Sequence, residues 1–197
     1  IKLVNCTNGI IENNTLDGAS NACGILVIDG SSNISITENF PISNEQHGVM
    51  VGNNSYDIYI DNNTALSNND RGIYLIEGCY NITISNNTLS DNGWAGIYLD
   101  TNCHDNWILN NTCNNSVVNL QNYGIRLNNG CHNNTLAFNY VYDNEYDGIF
   151  LGTNCDDNKI INNTVLDFLG GGEQNTGIYI MDGCDGNGII NNTVKHN

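Results

Sequence analysis

Hydrophobic residues recur along this chain with two nested periods. Over short stretches they alternate with polar residues, as in "GIYLIEGCYNITI" from Gly72. Over longer stretches the same wording returns every 24 residues or slightly more. Counting each unit from the glycine that opens it, position 1 falls at Gly24, Gly48, Gly72, Gly96, Gly124, Gly148 and Gly177. The units that begin at Gly96 and Gly148 are longer, with their extra residues around "CNNSVVNLQNY" and "LDFLGGGEQNT". A partial unit, "IKLVNCTNGIIENNTL", precedes the first glycine, which makes eight.

Within a unit, positions 2, 4 and 13 are Ile, Val or Leu, and position 18 is almost always apolar (Leu16, Pro41, Ala65, Leu89, Cys113, Val141, Val165, Val194). Period-two alternation rich in β-branched residues predicts short strands with one face in and one face out. A helical repeat would need apolar residues three and four apart over longer runs, without Asn-Asn and Gly breaks. A 24-residue unit with three short strands closes one triangular coil. Stacked coils pair each strand with its counterparts ~4.8 Å above and below. No unit buries its apolar face alone, so repetition creates the core. The expected fold is all-β: a β-solenoid of about eight coils forming one domain over residues 1–197, with longer loops in the coils starting at Gly96 and Gly148.

Position 16 is Asn in every unit: Asn14, Asn39, Asn63, Asn87, Asn111, Asn139, Asn163 and Asn192. An Asn at a bend bonds turn backbone, tolerates left-handed angles and can pair with the next Asn in the stack. This column predicts an internal hydrogen-bonded ladder.

Charge narrows the partners. With 21 Asp+Glu against 5 Lys+Arg the net charge is −16, which opposes nucleic acid and anionic membranes. No apolar run approaches the ~18 residues of a membrane span. There is no starting Met and no signal-peptide pattern, so the chain reads as a mature product or an excerpt of a longer one.

The composite motif "GIYLxxGCxNNxIxNNTxxxN" resembles the right-handed parallel β-helix repeat of the NosD-type, carbohydrate-binding and sugar-hydrolase families, in the style of archaeal surface proteins. The resemblance covers essentially the whole chain and implies a right-handed, single-stranded parallel β-helix. It leaves function open, because this coil serves sugar lyases, hydrolases, epimerases, copper-delivery proteins and passive surface fibres. The galacturonase-like hydrolases carry Asn-Thr-Asp, Asp-Asp, Gly-His-Gly and Arg-Ile-Lys on successive coils. Here only Asp156-Asp157 matches. The bases that a lyase would need are Lys2, Arg71, Arg126, Lys159 and Lys195, in different columns with no two on neighbouring coils. Catalysis is therefore not the favoured expectation, and no catalytic residue is assigned.

Three columns carry other chemistry. Position 3, between two inward positions, reads Leu26, Met50, Tyr74, Tyr98, Arg126, Phe150 and Tyr179. It is expected as an exposed stripe, with Tyr74, Tyr98, Phe150 and Tyr179 stacking on one another or contacting a sugar or lateral partner. Position 9 places His104, His132 and Asp156 on neighbouring coils, a set suited to a divalent cation, against the plainer reading of a solvated turn ladder. Apart from that cation no cofactor is expected. Position 8 holds Cys6, Ser31, Ser55, Cys79, Cys103, Cys131, Cys155 and Cys184. Serine in two coils fits a small buried slot, so these cysteines are expected mostly as free thiols filling space.

Asn-x-Ser/Thr occurs at Asn5, Asn13, Asn33, Asn53, Asn62, Asn81, Asn86, Asn110, Asn114, Asn133, Asn162 and Asn191. Asn13, Asn62, Asn86, Asn110, Asn162 and Asn191 share position 15, which should face outward and be open to N-glycosylation. The expected function is an extracellular, glycosylated surface protein. Its coils would stack end to end into a fibre, filament or layer, with no membrane span and no nucleic-acid partner. The alternative is a carbohydrate-binding or polysaccharide-active β-helix.

Overall fold

The computed structural model describes residues 1–116, 121–168 and 174–196. The chain winds through eight coils of three short strands each. In the fourth coil these are Arg71–Ile76, Thr83–Ser85 and Thr88–Ser90. Each strand pairs in parallel with its counterparts in the coils before and after, giving three eight-stranded sheets. Register follows the repeat: Ile73 sits between Val49 and Ile97, and Leu89 between Ala65 and Cys113. The eight coils and the apolar alternation are as the sequence predicts. Parts of both long loops, 117–120 and 169–173, lie outside the described residues.

The inward positions of all three sheets fill one core. Ile73 and Leu75 come from the first sheet, Ile84 from the second, with Ile82 just before it, and Leu89 from the third; all are fully buried. The position-16 ladder is present. Asn87 Nδ2 donates to Asn111 Oδ1 (3.0 Å) and to Ile60 O (2.9 Å), while the Asn87 backbone N–H also donates to Asn111 Oδ1 (3.0 Å). Both amide hydrogens and the carbonyl of each central Asn are thus satisfied at zero or near-zero exposure.

Two further ladders escape the sequence reading. Asn44, Asn68, Asn92, Gln121 and Asn144 bond in series between the third and first sheets, at 2.8, 2.9, 3.3 and 2.8 Å. Gln121 stands in for Asn in the coil that receives the first long loop. A third ladder joins Asn106, Asn134 and Asn158 at 3.0 Å per step before the second sheet.

Candidate functional site on the outer face of the first sheet

The residue before each opening glycine points outward beside the position-3 column. These two columns interlock across coils. Arg71 stacks over Tyr74 (4.3 Å from guanidinium carbon to ring centroid) and Tyr98 (4.8 Å). Arg126, two coils away, lies 5.3 Å from the same Tyr98 ring, 4.7 Å from Tyr123 and 4.8 Å from Phe150. Two of the five basic residues therefore converge on one tyrosine. This corrects the expectation that they stay apart: a guanidinium spans more than one coil, so separate columns do not mean separate sites.

The stripe is also not exposed as expected. Tyr74 is 7 %, Tyr98 5 % and Phe150 6 % accessible, and only Tyr179, at 45 %, stands open. Met50, Ile76, Trp94 and Tyr123 pack around Tyr74 and Tyr98, forming a second apolar cluster outside the solenoid wall. A lone strip of rings on a parallel sheet would leave large apolar area in water, and burial beneath neighbouring side chains removes it.

Arg71 pairs with Asp70 at 2.5 Å. His47 is buried edge-on against Tyr74 at 4.9 Å, its Nδ1 3.6 Å from Asp70 and without a hydrogen bond. Burial, reinforced by the Arg71 charge, lowers the His47 pKa to about 4, so the ring is neutral at pH 7. Burial raises the Asp70 pKa from its ordinary value, with Arg71 opposing, and raises the Tyr74 and Tyr98 phenols. Arg126 makes no ion pair among the described residues, and its buried Nε has no hydrogen-bond partner. The face holds two guanidiniums and a neutral imidazole, each engaged with rings. His47, Asp70, Trp94 and Tyr123 were missed in the sequence reading; their common signal is a column one or two places before the opening glycine.

Position 9 forms a ring stack. Tyr56, Tyr80, His104 and His132 lie nearly plane to plane at 5.0, 5.3 and 5.0 Å. His104 Nδ1 is held by Asp105 (2.9 Å) and His132 Nδ1 by the Gly130 carbonyl (2.9 Å). Among the described residues no group of three His, Cys, Asp or Glu side chains is placed to hold a metal ion; His104 and His132 stack ring on ring, and Asp156 Oδ1 accepts the Asp185 backbone N–H at 2.8 Å. Coil spacing favours stacked flat rings, and stacking turns the nitrogens side by side instead of converging them.

All eight cysteines are free. Of the sequon asparagines, Asn114 is buried at 7 % and the others reach the surface at least in part. The position-15 residues Asn13, Asn62, Asn86, Asn110, Asn162 and Asn191 all adopt left-handed angles, φ 53° to 56°. No helix is long and apolar enough to cross a membrane.

Comparison with solved structures finds the same winding elsewhere. The periplasmic alginate epimerase AlgG matches with a TM-score of 0.78 at 15 % identity over 98 % of this chain and 47 % of its own. The A-module of the Azotobacter vinelandii mannuronan C-5 epimerase AlgE4 matches with 0.71 at 18 % identity, over 96 % of this chain and 56 % of its own. The Streptococcus pneumoniae surface protein and adhesin PfbA matches with 0.58 at 14 % identity, over 98 % of this chain and 68 % of its own. The chain thus spans about half the length of the epimerases it matches, and at these identities the likeness is one of fold. No match appears among curated protein sequences. A family profile described as "Right handed beta helix region" matches residues 1–136, and the chain belongs to that right-handed β-helix family.

Proposed function

We propose that this chain is an extracellular, N-glycosylated β-solenoid that serves as a rigid structural element of a surface layer or fibre. The observation that carries this reading is the closure of its most chemically equipped face. His47, Tyr74 and Tyr98 are buried, and Arg71 and Arg126 lie across the rings instead of lining an open cleft. Three polar ladders and an uninterrupted core fit a rod built for stiffness. The fold likeness to a surface adhesin agrees with such a role. End-to-end stacking belongs to the same reading, since every coil presents the same columns to the next. Negative-stain imaging of native material tests it: filaments or a lattice are expected, and dispersed single rods would count against it.

A second reading is favoured by one observation, the unpaired Arg126. A guanidinium that makes no direct ion pair among the described residues, in a chain of net charge −16, can receive the carboxylate of an acidic polysaccharide. Two of the structural neighbours are alginate and mannuronan epimerases. Titration with uronate oligosaccharides checks this: measurable binding that is lost in Arg126→Gln, with folding intact, supports it, and absence of binding removes it.

A further inference from the structure

Position 15 does not present the same surface on every coil. In the first, third, fifth and seventh coils it is Asn13, Asn62, Asn110 and Asn162, and among the described residues none of these side-chain amides makes a hydrogen bond. In the second, fourth and sixth coils it is Glu38, Asn86 and Phe138. Glu38 and Phe138 cannot carry an N-glycan. Asn86 is a sequon, but its Nδ2 donates to the Asp61 carboxylate of the coil before at 2.8 Å. The amides of three further sequons are also engaged: Asn33 with Asn8 (2.5 Å), Asn53 with Asp29 (2.6 Å), and Asn81 with Asp57.

We propose that N-linked glycans in the position-15 column sit on alternate coils of this solenoid. Asn13, Asn62 and Asn110 carry them, together with one of the pair Asn162 and Asn191 on the last two coils, and Asn86 stays bare. This rests on the reading of the chain as a glycosylated surface protein. Neighbouring position-15 nitrogens stand one coil apart, ~4.8 Å, so two sugar rings attached there would occupy the same space; skipping a coil doubles the gap to ~9.6 Å. Left-handed backbone places each of these asparagines at a turn, where Asn13, Asn62 and Asn110 are exposed and Asn162 is half-buried. Phe138 supports the selection. It is a bulky residue at φ 58°, 57 % accessible, in the one column where every other coil offers Asn or Glu. It occupies a coil where an Asn would place a third acceptor between those at Asn110 and Asn162.

The chemistry requires an activated donor, a lipid-phosphate-linked oligosaccharide. Its anomeric carbon forms a bond to Asn Nδ2, the C–O bond to phosphate breaks with phosphate leaving, and the amide gives up one proton to a base of the transferase. An amide nitrogen held by a carboxylate is the poorer acceptor because that contact must be surrendered to align it. Site-resolved glycopeptide mass spectrometry of protein from its native source tests the proposal. Occupancy at Asn62 and Asn110 should exceed that at Asn86 and Asn81 several-fold. Equal occupancy at Asn62, Asn86 and Asn110 on the same molecules would overturn the alternation and leave the glycan reading standing. Bare asparagine at all these sites would overturn both.

Discussion

Serine and cysteine exchange at position 8 because each places a hydrogen-bond donor at the same backbone oxygen. Ser31 Oγ donates to Ile28 O and Ser55 Oγ to Gly52 O, both at 2.7 Å. Cys79 Sγ donates to Ile76 O and Cys103 Sγ to Asp100 O, both at 3.1 Å. These thiols do more than fill space: they satisfy a turn carbonyl. Cys103→Ser should therefore cost about 1 kcal/mol or less, whereas Cys103→Ala strands the Asp100 carbonyl and should cost about 1–3 kcal/mol. Urea unfolding of the two variants separates the cases, and equal losses would show that volume alone matters there. His47 gives a second test at this scale. Its pKa falls from the ordinary 6.5 to about 4 on folding, so the folded state holds the ring neutral and the unfolded state binds the proton more readily. The stability this neutral ring supports is complete above pH 6.5 and declines as pH drops toward 4. His47→Gln should flatten the stability profile across that window, and an unchanged slope would mean that other groups set it.

The repeating coil was legible in the sequence wherever a column has one chemical meaning. Position 16 is Asn without exception, and it reads directly as a ladder. The ladder between the third and first sheets was hidden because Gln121 and Gln174 replace Asn after the long loops. The ladder before the second sheet has Ile82 where later coils have Asn106, Asn134 and Asn158. The outer face was legible only in part: position 3 supplied the rings that pack on one another, Tyr74 with Tyr98 and Phe150 with Tyr179, but not the side chains that cover them. Whether Arg71 and Arg126 meet depends on side-chain length and on which rings they lie over, and a column count carries neither. The opening glycine shows how tightly strands meet. A Cβ added at Gly72 would lie 2.7 Å from Gly96 O and 2.8 Å from Leu89 Cδ2, so backbone of the next coil and a core side chain both block it. Gly72→Ala should destabilise the protein by about 1–3 kcal/mol through overpacking. Thermal unfolding measures this, and a melting temperature at the wild-type value would show that the coils can slide apart there.

At the scale of the whole molecule, stacking multiplies any charge that sits in a column, and 21 acidic residues must be placed against that constraint. At position 10 the column reads Asp57, Asn81, Asp105, Asn133 and Asp157, every one in a left-handed conformation at the same turn. Carboxylates occupy every second coil, and amides fill the coils between. Asn81 Nδ2 donates to Asp57, so the amide separates two charges and also binds one of them. Position 6 repeats the device, with Asn53 between Asp29 and Glu77 and donating to Asp29 at 2.6 Å. This two-coil rhythm lets a strongly acidic chain wind into a tight parallel stack. Asn81→Asp removes the separator and sets three carboxylates in a row at ~4.8 Å, where each new like-charge contact costs about 1 kcal/mol in water-like surroundings. The donor to Asp57 is lost as well. The variant should be less stable than the parent by about 2 kcal/mol at neutral pH and low salt, from two such contacts. Most of the difference should vanish in 1 M salt, where charges are screened within ~3 Å. Paired melting curves of parent and variant at low and high salt measure the effect. A deficit that persists unchanged at high salt would mean that the lost amide contact, and not charge spacing, explains the alternation.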